Sequence, residues 1–300
     1  MLIKSSPCYY EVFFLLARHS LKTKLITSFT LMVLFAVLIE AFDLIYIQRP
    51  HNYAIEAKSD EKDILRIKNA FQSMANELSV LTYDNSVWDQ TFQYLDDRNS
   101  NFTDSNYIRD SYISLDINGT HLYDNSLIPV YSKVYSKKHQ EIISFPAFNK
   151  PNAFIKNNLL ITTTQVNENN SKPVSLSGYI YLEGDLILFA ANSIFHSSAQ
   201  GEPNGTLIFW RYIDKKKIQD LQKRAGIKFT IKSISEGISQ KASIQKYHRD
   251  PNGNVKVSIP LFSDSGAINI AYKAPARLFD VNWFNRSTVI TLTSFSVILL

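Results

Sequence analysis

The stretch that most restricts this chain runs from Leu25 to Ile47. Leu25 to Ile39 carries no charge, and apolar character resumes after Glu40 through Ala41, Phe42 and Leu44 to Ile47. A helix needs about 20 mainly apolar residues to cross the hydrocarbon core of a bilayer, so residues 25–47 are predicted to form a transmembrane helix. Glu40 and Asp43 would be costly at mid-bilayer and are tolerated near an interface. That puts them at the outer end, beside the interfacial ring of Tyr46. A cleaved signal peptide would have a shorter apolar core closed by small residues; no Ala-x-Ala pair closes this one. Lys4, Arg18, Lys22 and Lys24 precede the span. Cationic flanks stay inside, which makes residues 1–24 cytoplasmic and the chain beyond the span external.

A second apolar stretch, residues 287–300, comes after Trp283 and Phe284 and includes Val289, Ile290, Leu292 and Phe295. It is too short to cross a bilayer and is expected to be the start of a second transmembrane helix, leading into a cytoplasmic portion, with a re-entrant or surface-lying tail as the alternative. Residues 48–286 are then an extracytoplasmic domain. Hydrophobic residues make up 45% of the 300 and charged residues 20%, which excludes a disordered chain. The net charge of +5 is spread along the sequence, without the basic and aromatic grouping that nucleic acid requires. The single cysteine, Cys8, excludes an internal disulfide and a multi-cysteine zinc site. Six scattered histidines show no metal-ligand spacing, so neither metal nor cofactor is expected. Asn101, Asn118, Asn204 and Asn285 each head an Asn-x-Ser/Thr pattern, expected to be idle in a bacterial envelope protein.

The external segment opens with a helical pattern. Ile64, Ile67, Phe71, Met74, Leu78 and Leu81 recur at spacings of three and four. This stripe either packs on the domain's own sheet or forms a dimer seam. The period then shortens. Asn118-Gly119, within Tyr112 to Tyr123, is a hairpin signal. Strands are expected at Leu159 to Thr164, Val174 to Leu182, Leu186 to Ala190 and Thr206 to Trp210. A helix comes next at Ile213 to Ala225, then strands at Ile227 to Ile234, Val255 to Ile259 and Ile268 to Tyr272. Glu183-Gly184-Asp185 and Asp250-Pro251-Asn252-Gly253 mark turns. The layout is α+β.

Two stretches carry a family resemblance. One is Asp84-Asn85-Ser86-Val87-Trp88-Asp89-Gln90-Thr91-Phe92-Gln93-Tyr94-Leu95, with Asn106-Tyr107 after it. The other is Ala190-Ala191-Asn192-Ser193-Ile194, then a Gly-containing turn from Ser198 to Gly205, then Thr206 to Asp214 with Arg211. Together they resemble the fourth class of CHASE domains, extracellular sensory modules of bacterial and archaeal signalling proteins, over roughly Ala70 to Asp220. Trp210 stands where that family often has Gly, and Phe195 also departs from its pattern. The resemblance implies a long N-terminal helix packed on a mostly antiparallel PAS/Cache-like sheet, flanked by two transmembrane helices. It also implies a homodimer, and an inner-membrane protein whose missing output is a diguanylate cyclase, a cyclic-di-GMP phosphodiesterase or a histidine kinase.

Asp84, Asn85, Trp88, Asp89, Tyr94, Asn106, Ser193 and Arg211 are the candidate recognition residues. Asp84 and Trp88 stand four apart and would share a helix face, as would Asp89 and Gln93. Trp88 and Asp89 either meet a ligand or lock the helix to the sheet by a buried hydrogen bond. Arg211 either clamps an anion or forms a salt bridge across the sheet. No catalytic residue is assigned: Asp84, Asp89, Asp96 and Asp97 lie on or near one helix, not across a cleft as glycosidase carboxylates do. No nucleophile-elbow, P-loop or dinucleotide fingerprint occurs. The expected function is sensory input, with membrane lipid and a small-molecule or protein ligand as partners. A membrane-anchored envelope hydrolase and a scaffold are the alternatives.

Overall fold

The structure, a computed structural model, describes residues 21–136, 140–143, 158–182, 184–236, 248–250, 252–264 and 266–274. The chain divides into two compact units, Met1–Ser59 with Arg277–Leu300, and Asp60–Ala276. In the first, α1 (Leu21–Asp43) gives way to a π-helical turn at Leu44–Gln48, and α2 (Arg49–Ser86) then carries the chain into the second. No side chain of α1 is buried. The helical stretch Leu21–Ser86 is the one among the described residues long and apolar enough to cross a membrane. The π-turn begins just after Asp43, whose Oδ2 accepts from Gln48 Nε2. The expected second span at 287–300 and residues 1–20 lie outside the described residues.

In the second unit, Ile64, Ile67, Phe71, Met74 and Leu78 of α2 are buried, while Leu65 and Val80 on the opposite face are exposed. Of the two roles open to the stripe, it takes the first and packs within its own domain. Short helices α3 (Asp89–Asp97), α4 (Ser100–Asn106) and α5 (Arg109–Ser114) lead into the first sheet. Its strands are β1 (Gly119–Asp124), β2 (Pro129–Ser136), β3 (Glu141–Ile143), β4 (Ser175–Leu182), β5 (Asp185–Ser193) and β6 (Gly205–Tyr212), with α6 (Thr163–Glu168) between β3 and β4. The order is β3-β2-β1-β6-β5-β4, all antiparallel. This is the PAS/Cache-like arrangement with β3 as an added edge. One face, through Leu122, Tyr179, Leu188, Leu207 and Phe209, shares a core with α2. The other, through Tyr123, Ile180, Phe189, Ile208 and Trp210, packs on Leu159–Ile161 and Val166.

After α7 (Lys215–Ala225) the chain forms a second sheet rather than extending the first. Strands β7 (Phe229–Glu236), β8 (His248–Arg249), β9 (Asn254–Pro260) and β10 (Gly266–Lys273) are ordered β7-β10-β9-β8. The alternation Val255, Val257, Ile259 turns one face of β9 into the α2 core. One continuous core therefore joins α2 to both sheets.

Two local expectations are corrected. Asn118-Gly119 is no hairpin turn, because Gly119 is already paired with Trp210 at the start of β1. A Cβ there would lie 2.0 Å from Trp210 Nε1, so the glycine makes room for an indole. The turn between β1 and β2 lies at Asp124–Pro129, where Asp124 Oδ1 accepts from the Ser126 and Ile128 amides. Leu159 to Thr164 is not a strand. Leu159–Ile161 are buried without strand pairing, and Thr162 opens α6 through a capping box with Gln165.

Candidate functional site

The end of α2 is where the two family-like stretches meet. Ser86 Oγ donates to Tyr83 O, and Val87 leaves the helix for a parallel bridge with Phe195. Phe195 N–H donates to Ser86 O at 3.2 Å, and the fully buried Asn192 donates from Nδ2 to Ser86 Oγ. The Asp-Asn-Ser-Val segment and the Ala-Ala-Asn-Ser segment thus form two halves of one joint. Because α2 ends at Ser86, Asp84 and Trp88 do not share a helix face. Trp88 is the extended N-cap residue of α3, whereas Asp89 and Gln93 both lie on α3 as expected.

Asp89 closes the joint from outside. Its Oδ1 accepts from the Ser197 amide at 3.0 Å and lies 3.0 Å from His196 Nδ1, while its own N–H donates to Ser197 Oγ at 3.2 Å. The Ser197 amide foremost, then His196, hold the Asp89 carboxyl below the usual carboxylate range. The His196 ring stacks on Phe92 with centroids 3.7 Å apart. Asn204 donates from Nδ2 to Phe92 O and Asp96 Oδ1, both at 2.9 Å. Gly205 then lets β6 start against β1: a Cβ there would lie 2.0 Å from Tyr123 O.

The eight candidate residues do not form a single site. Asn85 and Asn106 donate to the carbonyls of Leu81 and Phe102 in their own helices. Trp88 and the buried Tyr94 flank Phe102, with centroids 5.8 and 5.1 Å away, and burial raises the Tyr94 phenol. The indole N–H of Trp88 takes no partner among the described residues, so the lock runs through Asp89 and is exposed rather than buried. Ser193 Oγ accepts from Val174 N–H at 2.8 Å. Asp84 is exposed on the last turn of α2. Arg211 lies five positions along β6 from Thr206, the partner of Ser193, or roughly 17 Å at strand rise. It forms no salt bridge among the described residues; Nη2 donates to Leu115 O at 3.2 Å. Burial lowers its pKa against the fields of Asp116 and Glu77. His196 and Ser197 carried no sequence signal, and Asn204 stood out only as part of the Ser198 to Gly205 turn and of an Asn-x-Thr pattern, because the partners of His196 and Asn204 lie 107 and 112 positions away.

A long helix joined at its end to a six-stranded antiparallel sheet defines an α+β domain. The CHASE4 domain family matches residues 70–232, and the chain belongs to that family. No curated protein matches the chain. Among solved structures, the extracellular domain of vpHK1S-Z8, assigned as a histidine kinase, is 9% identical over 78% of this chain and 98% of that one, with a TM-score of 0.45. A domain of a protein assigned to the sensory box/GGDEF family in Vibrio parahaemolyticus is 10% identical over 74% and 97%, TM-score 0.44. The periplasmic domain of Vibrio cholerae LuxQ is 8% identical over 70% and 96%, TM-score 0.38.

Proposed function

We propose that residues 48–286 are the external input of a transmembrane signalling protein held in the inner membrane by the span at 25–47, with residues 1–24 in the cytoplasm. The observation that carries this reading is a CHASE4 match at residues 70–232 that begins within a helical stretch, Leu21–Ser86, long and apolar enough to cross a membrane. Ligand or partner binding outside would favour one of two arrangements of the domain, by no more than its differential affinity for them. A second span at 287–300 would pass the bias to a cytoplasmic diguanylate cyclase, cyclic-di-GMP phosphodiesterase or histidine kinase. The input module has no chemistry of its own in this reading, and a second copy of the chain is its expected partner beside membrane lipid.

Topology tests it. In a Cys8→Ser background, Ile113→Cys places a thiol on the exposed side of α5. A membrane-impermeant maleimide should label it in intact spheroplasts and leave the native Cys8 of the parent chain unlabelled until lysis. Labelling of Ile113→Cys only after lysis would remove the reading.

A further inference from the structure

A break in the α-helical pattern and its cause in the sequence coincide just after α1. From Leu21 to Ser59, Leu44 is the one side chain buried among the described residues, and it opens the π-helical turn Leu44–Gln48. Packing therefore does little to fix the register of this stretch, and local bonding decides it. The Arg49 amide donates to Leu44 O, five residues back, where an α-helix would use Ile45 O. The cause stands next in the chain. Pro50 has no N–H, and its ring crowds the carbonyl four residues before it, that of Tyr46. A wider turn moves that carbonyl away.

The missing donor does not itself choose between registers. In the α pattern the carbonyl that falls to Pro50 is that of Tyr46; in the π pattern it is that of Ile45. A side-chain strap does choose. Gln48 Nε2 donates to Asp43 Oδ2 across the turn. Positions five apart point about 140° away from one another on an α-helix, whereas a turn closed by i→i+5 bonds brings them to one side. Relief of the proline ring and the strap favour the π register. The general rarity of π turns shows that ordinary helical bonding opposes it. With one carbonyl unserved either way and opposing local effects, the two registers lie close in energy.

We propose that the π turn at Leu44–Gln48 is a register switch in the helix that leaves the span. In one state the turn is π and the Asp43–Gln48 strap is closed. In the other the strap is open and the Arg49 amide donates to Ile45 O. Residues 49–59 are then rotated by about 100° and advanced by about 1.5 Å relative to α1. A rotation of that size would carry a bias from the external domain into the span. That use rests on the sensory reading above; the two registers do not.

Spin labels at Ala36→Cys and Ile55→Cys, both exposed positions, provide the test in the Cys8→Ser chain, diluted with unlabelled chain in lipid nanodiscs. These positions stand 19 apart. The π turn absorbs one step, which leaves about five whole α-turns and sets both labels on one side of the helix, roughly 27 Å apart. In the α register they stand about 100° apart around the axis and roughly 3 Å further from each other. Pulsed EPR should show the shorter distance with Pro50 present. Pro50→Ala, which returns the donor and removes the ring, should lengthen it by about 3 Å. Deleting Ile45 in the Pro50→Ala chain removes one helical step and should restore the shorter distance. With a reporter kinase fused after Leu300, Pro50→Ala should change the unstimulated output by about fivefold or more, the low end of allosteric coupling. The Ile45 deletion should bring that output back to the wild-type level. An unshifted distance in Pro50→Ala, a shift that the deletion does not reverse, or an unchanged output overturns the proposal. None of these results bears on the maleimide topology test, and a failed topology test leaves the distances valid.

Discussion

His121 is fully buried on the face of the first sheet that packs against α6. Its Nε2 accepts the Trp210 indole N–H at 2.9 Å, and its Nδ1 lies 2.9 Å from Ser132 Oγ. With Nε2 accepting, the proton of the neutral ring belongs on Nδ1, directed at Ser132. Burial pulls its pKa down to about 3. In the unfolded chain a histidine titrates near 6.5, so between about pH 6.5 and 3 the unfolded state holds one proton more than the folded one. Stability should be complete above that window and fall as the pH drops through it, by at most ~1.4 kcal/mol per pH unit. Urea unfolding at pH 7 and pH 5 should show a smaller loss for His121→Gln than for wild type; equal losses would contradict this. Asp89 behaves in the opposite sense to a raised group. Its lowered pKa makes its contribution present above the unfolded carboxyl value, near 3.9, and lost as acid protonates the folded carboxylate. Asp89→Ala should release the 196–204 segment, read as amide exchange at Ser197 about tenfold faster by loss of local protection.

At the scale of elements, α2 was legible because its burial follows a simple period: the predicted stripe Ile64, Ile67, Phe71, Met74 and Leu78 is the buried face. Leu78→Ala should cost ~2–5 kcal/mol in urea unfolding, the range for deleting a fully buried leucine. Leu65→Ala on the exposed face should stay within about 0.5 kcal/mol. Strands β4 to β7, β9 and β10 were likewise legible from apolar runs punctuated by turns. Where local pattern misled, a tertiary neighbour had set the local choice. Asn118-Gly119 carries turn chemistry, yet Gly119 is there because Trp210 fills its space. Gly119→Ala should therefore destabilise by about 1–3 kcal/mol through overpacking, and a smaller residue at Trp210 should recover part of it. The capping pair Thr162 and Gln165 was visible in the sequence but was obscured by the β-branched run around it. The candidate site was half legible. Both of its segments stood out in the sequence, but their meeting at Ser86, Asp89 and Asn192 depends on contacts more than 100 positions apart, which no local period encodes.

For the whole molecule, the second sheet matters most where it holds the entrance of the domain to its exit. Asp60, the first residue of the second unit, accepts from Arg249 Nη1 at 2.9 and 3.1 Å, and its carbonyl oxygen accepts from Tyr272 O–H at 3.3 Å. Tyr272 is one residue from the end of β10, beyond which the chain runs toward residues 287–300. The side chains of Asp60 and Arg249 are 3% and 9% exposed. A pair this buried repays its desolvation only while both partners remain, so removing one leaves an uncompensated charge. Asp60→Ala should thus cost ~3–5 kcal/mol, whereas Asp60→Leu combined with Arg249→Met should unfold within about 1 kcal/mol of wild type, since apolar replacement of both partners is often neutral. The comparison separates two roles for the clamp. If it serves stability alone, the double variant should respond to an external stimulus as the parent does when the chain is fused to a reporter kinase. If it couples entrance to exit, the double variant should be stable but unresponsive. Burial of the pair, at a point where α2 also meets the last strand through Tyr272, favours coupling, and a stable, fully responsive double variant would refute it.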